Sequence, residues 1–62
     1  MPTWILVITY YVTSPLGAES EMQDRLAGYR YEVECLRDIP KAVAGRRRDN
    51  VVTAYARCER GE

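Results

Sequence analysis

The segment that most limits what this chain can fold into is Trp4-Ile5-Leu6-Val7-Ile8-Thr9-Tyr10-Tyr11-Val12. Its β-branched and aromatic residues suit a pleated strand, and residues 3 to 13 read as one. Alternation gives it two apolar faces: Trp4, Leu6, Ile8, Tyr10 and Val12 on one, and Ile5, Val7, Thr9 and Tyr11 on the other. A strand apolar on both sides belongs in the middle of a sheet, with a neighbour on each edge. The run is nine residues long, whereas a membrane-spanning helix needs about 20. No Lys or Arg precedes it, and Leu16 stands where a secretory cleavage site wants a small residue, so it is not expected to act as a signal peptide.

Partners for this strand can be found on its C-terminal side. Ser14-Pro15-Leu16-Gly17 has turn chemistry. Glu19 to Leu26 then reads as a polar edge strand, with Met22 and Leu26 on one parity and Glu19, Glu21, Gln23 and Arg25 on the other. Residues 29 to 44 allow two readings. Tyr29 to Cys35 alternates like a strand, but at 100° per residue an apolar arc of Tyr29, Val33, Leu36, Ile39, Pro40 and Val43 opposes a charged arc of Arg30, Glu34, Arg37, Asp38 and Lys41. The helical pattern is the longer and is preferred. Gly28 is its expected start and Gly45 its expected stop. A kink or a break is expected near Ile39-Pro40, with Asp38 capping a restarted second turn. Asp49-Asn50 turns the chain into a last strand, Val51 to Cys58, followed by a polar tail, Glu59 to Glu62.

A hairpin followed by a helical connection places the first strand between the other two. The expected fold is α+β: a single ββαβ domain over residues 1–62, sheet order 2-1-3, one helix on one face. That face is assigned Trp4, Leu6, Ile8, Tyr10, Val52, Ala54 and Ala56. The other should show Ile5, Val7, Thr9, Tyr11, Thr53 and Tyr55 to solvent. An open apolar face, together with a core limited by 62 residues, makes that face an expected interaction surface and the chain an expected homodimer.

Composition excludes several chemistries. There is no His, so no His-based catalytic pair or mixed Cys/His zinc site can form, and nine basic residues balance nine acidic ones. No base stands ready for Ser14, Ser20, Cys35 or Cys58, and there is no phosphate-cradling glycine loop. No catalytic, metal or cofactor residues are assigned. Cys35 and Cys58 either form a disulfide between the helix and the last strand or remain two buried thiols. The cytoplasm is the default compartment, with the periplasm implied if they are bridged. Arg46, Arg47 and Arg48 form a candidate basic patch at the helix C-terminus, where the helix dipole favours cations. With zero net charge, neither nucleic acid nor a membrane is the expected partner.

Trp4-Ile5-Leu6-Val7, Glu34-Cys35 followed by Pro40, and Tyr55-Ala56-Arg57-Cys58 together resemble a loose set of very small phage and prophage proteins. The resemblance implies an accessory phage product of the counter-defence kind, anti-CRISPR-like, that inhibits a host protein or complex by binding it in the host cytoplasm. The alternatives are a disulfide-stapled structural or envelope-associated mini-protein and, third, a nucleic-acid-contacting protein using Arg46 to Arg48.

Overall fold

The structure, a computed structural model, describes residues 3–61. Its elements are β1 (Thr3–Thr13), β2 (Glu19–Tyr29), α1 (Glu32–Arg46) and β3 (Val51–Gly61). The three strands form one antiparallel sheet in the order β2-β1-β3, giving an α+β fold of ββαβ topology. The doubly apolar strand is therefore central. Leu6, Val7, Ile8 and Thr9 at its midpoint are all buried, as a strand with neighbours on both edges and cover on both faces should be.

The β1–β2 turn is tied at its base. Ser14 N–H donates to the Ala18 carbonyl at 2.7 Å, and Ala18 N–H donates to Ser14 Oγ at 3.2 Å. Gly17, at φ +85°, supplies the left-handed step within the turn. β2 runs past Leu26 to Tyr29 because of a bulge. Trp4 pairs with Tyr29 and Leu6 with Leu26, so two β2 residues, Ala27 and Gly28, oppose Ile5. Gly28 has φ +103° and belongs to this bulge, not to the helix start expected of it. The bulge shifts the parity of β2 by one and brings Tyr29 to the helix side. There its hydroxyl donates to Asp38 Oδ2 at 2.8 Å. Asp38 thus ties α1 to the end of β2 instead of capping a second turn.

β3 also departs from simple alternation. Tyr11 pairs with Thr53 but Val12 with Val51, which leaves Val52 as an unpaired extra residue, 61% exposed. The expectation that Val52 faces the helix is corrected by this bulge. At its other end β3 takes in Glu59, Arg60 and Gly61, which had read as a polar tail; Gly61 pairs with Thr3. A Cβ at Gly61 would stand 2.9 Å from Ile5 Cδ1, so only glycine closes the sheet there without displacing Ile5.

α1 starts at Glu32, four residues after the expected start at Gly28, and continues to Arg46, with Gly45 inside it and no break at Pro40. Its orientation differs too. The residues packed against the sheet are Cys35, Ile39 and Ala42, while Val33 and Leu36 remain 58% and 49% exposed. The reason is covalent: Cys35 is bonded to Cys58 of β3, with Cα atoms 6.2 Å apart, and this turns the Cys35 side of the helix inward. The core beneath comprises Leu6, Ile8, Cys35 and Ala42, bordered by Trp4, Tyr10, Tyr29, Ile39, Ala56 and Cys58. No helix among the described residues is long and apolar enough to cross a membrane.

With so little apolar surface under α1, the bridge is its main anchor. It spans a sequence separation of 23, for which the chain-entropy model gives about 3 kcal/mol. Reduction, or a paired Cys35→Ser and Cys58→Ser change, should lower unfolding free energy by about that amount. Denaturant titration followed by far-UV circular dichroism, with and without reductant, checks it.

Candidate interaction surface

The sheet face away from α1 carries Ile5, Val7, Thr9, Tyr11, Thr53 and Tyr55, as alternation indicates, but it is not open. Val7 is 0% and Thr9 1% exposed. Arg25 and Arg57 stand opposite Val7 on either side, and Gln23 and Tyr55 stand opposite Thr9. These long side chains fold over the central strand. Arg25 Nη2 reaches Glu59 Oε2 at 3.3 Å, joining β2 to β3 above β1, and Arg57 Nη2 holds Glu59 Oε1 at 2.7 Å. Gln23 Nε2 donates to Thr9 Oγ1 at 3.4 Å. Ile5 is half-buried against Gly61. What remains accessible is Thr53 and Tyr55, with Tyr11 half-buried. The Tyr55 hydroxyl, then the Glu21 carboxylate, hold the Tyr11 phenol above its ordinary value.

The expectation that Ile5, Val7 and Thr9 lie bare is therefore corrected. The edge strands supply arginine, glutamate and glutamine of sufficient reach to roof the central strand with polar atoms, so the apolar stems are covered and the charged heads stay in water.

The three arginines are divided by the local structure. Arg46 Nη2 lies 3.1 Å from Asp24 Oδ2 of β2. Arg47 is the C-terminal cap, its N–H donating to the Ala44 carbonyl. Arg48 lies in the turn, where its carbonyl accepts from Val51 N–H at 3.0 Å. Arg46 is thus taken up by an ion pair across the helix–sheet junction.

Sequence reasoning missed the groove between α1 and β2. The helix sits astride β1 and β3 and touches β2 least. The helix-side residues of β2, Met22 and Leu26, consequently remain 44% and 40% exposed. Two shallow clefts flank the Arg46–Asp24 pair. One, of about 490 Å³, opens between Tyr10, Val12 and Met22 and the turn bearing Arg48 and Asn50. The other, of about 350 Å³, lies between Leu26, Tyr29 and the helix residues Asp38 and Lys41. Gly45 borders both, and a Cβ there would meet nothing within 4 Å. The shared parity of Met22 and Leu26 was the available signal; that α1 leaves them uncovered follows from its covalent tie to β3.

No protein-family model, characterised protein or solved structure matched the chain in comparisons of sequence and fold.

Two outcomes are expected. The Arg57 hydrogen bond, offset in part by desolvation, together with the charges of Arg57 and Arg25, holds the Glu59 carboxyl below its ordinary value. A depressed folded-state value means that its contribution is present above the unfolded-state value and is lost as pH falls through the folded one. Stability should thus decline on acidification below the usual carboxylate range, and Glu59→Gln should flatten that limb in urea titrations across pH. Because Gly45 is helical and unconstrained by packing, Gly45→Ala should raise unfolding free energy by about 0.5–1 kcal/mol, read from the urea midpoint.

Proposed function

We propose that the chain is a non-enzymatic binding module that inhibits a host protein by covering part of its surface. The observation that carries this reading is the α1–β2 groove. It presents Met22 and Leu26 beside Tyr10 and Val12, in a molecule whose other sheet face is roofed over Val7 and Thr9 by its own side chains, leaving Thr53 and Tyr55 accessible. Apolar side chains left exposed next to a rigid helix are the usual anchor points for a partner. In the groove Arg46 and Asp24 neutralise each other and Asp38 accepts the Tyr29 hydroxyl, which leaves Lys41 and Arg48 as its cations with no ion pair among the described residues. The partner surface that fits is an apolar ridge flanked by carboxylates. The likeness to small phage accessory proteins supports the inhibitory, counter-defence part of the reading and supplies the host protein as target.

The Cys35–Cys58 bridge favours a second reading, that of a stapled structural or envelope-associated protein, because such bonds persist in oxidising compartments. Thiol alkylation followed by mass spectrometry of the protein from its native compartment separates the two settings: a bridged form favours the envelope reading, two alkylated thiols the cytoplasmic one.

Met22→Glu and Leu26→Glu change exposed positions, so the fold should be retained. Each should weaken capture of a stoichiometric host partner by about 30-fold or more if the groove is the contact surface. Titration calorimetry with that partner, beside circular dichroism of each variant, reads the result; unchanged affinity in both variants would remove the groove from the proposal.

A further inference from the structure

A second apolar feature lies on the opposite flank of α1. At 100° per residue, Cys35, Ile39 and Ala42 mark the side against the sheet. Asp38, Lys41 and Gly45 lie about 100° round from them. That flank faces β2: Asp38 bonds Tyr29, and Lys41 and Gly45 line the cleft containing Leu26. Val33, Leu36, Pro40 and Val43 lie about 110° round the other way and so overhang the outer edge of β3. Val33, Leu36 and Pro40 are exposed and Val43 is half-buried. Beneath them β3 ends the sheet, and an end strand offers unpaired backbone N–H and C=O groups along its free side.

We propose that two copies of the chain pair through these edges, β3 running antiparallel to the β3 of the partner, to form a six-stranded sheet with both helices on one face. The geometry fits a second copy on three counts. Strands lie about 4.8 Å apart, so two helices each centred between β1 and β3 would stand roughly 10 Å apart across the two-fold axis, at the 8–10 Å of packed helices. Their facing flanks would be Val33, Leu36, Pro40 and Val43 from each side. A foreign strand could extend the sheet but would leave that flank of α1 in water; a second copy covers both features.

The residues of β3 also suit self-pairing. A two-fold axis normal to the sheet, midway between the two β3 strands, keeps both helices on one face and sets one residue opposite its own equivalent. With Cys35 bonded to Cys58 and α1 running antiparallel to β3, the middle of the overhanging stripe lies near Ala56. An axis there sets Ala56 against its own equivalent and Ala54 against Cys58, small side chains that leave room for the helices. On the other face it sets Tyr55 against Arg57 and Thr53 against Glu59, with no like charges directly opposed. This interface is distinct from the α1–β2 groove and from the sheet face first expected to associate.

Light scattering and sedimentation equilibrium on the oxidised full chain test the proposal. The expected mass is twice the 7.1 kDa of one chain, and Leu36→Glu should raise the dimer dissociation constant about 30-fold or more with circular dichroism unchanged. Leu26→Glu, on the β2 flank, should leave the dimer intact, which keeps this result separate from that of the groove. If Leu36→Glu does not keep its fold, Val33→Lys is read in its place. A monomer at about 1 mM chain, a concentration at which even a weak dimer forms, overturns the proposal. So does a dimer whose dissociation constant the folded flank variant leaves unchanged.

Discussion

The structure depends on one covalent tie. α1 places only Cys35 and Ala42 fully in the core, with Ile39 beside them, and three short contacts provide little apolar burial for a helix of 15 residues. The bond from Cys35 to Cys58 fixes where the helix lies, which side it turns inward, and therefore what it leaves outside. Because it is bonded to an edge strand, it sits toward β3. The β2 side of the sheet is left as a groove, and an apolar flank is left overhanging the other edge. Both candidate surfaces follow from that placement.

Much of the architecture was legible in the residues. The two apolar faces of β1 located the centre of the sheet, and from there the order of strands and the antiparallel pairings followed. The helix was recognisable from its period even though Tyr29 to Cys35 alternates, because a tertiary pattern over the longer stretch outweighs a local one. The break allowed for at Pro40 does not occur: its side chain stays exposed and α1 continues through it. The rotation of the helix was not legible, since its apolar arc pointed to Val33 and Leu36 as core while the bridge turned Cys35 inward.

The candidate site was less legible for a related reason. Alternation placed Val7 and Thr9 on the correct face, but it carries no information on how far neighbouring side chains reach. Arg25, Gln23, Arg57 and Glu59 cross over the central strand through ion pairs and a hydrogen bond, and a face that looks apolar along one strand becomes polar once its neighbours are in register. The two bulges had a similar effect. Gly28 moved Tyr29 to the helix side and Val52 slipped out of the ladder, and neither step shows in a count of period two.

The order of the strands has a consequence for biosynthesis. β1 precedes both of its neighbours in the chain, and one of them, β3, comes only after α1, with Thr3 pairing Gly61. Until β3 has been synthesised, β1 has only β2 to pair with and α1 has no Cys58 to bond, and two strands alone are at best marginally stable in water. The most apolar stretch of the polypeptide then has one bare edge, able to pair with another chain. The charged side chains of β2 guard one flank during that interval; the other stays vacant until β3 is made.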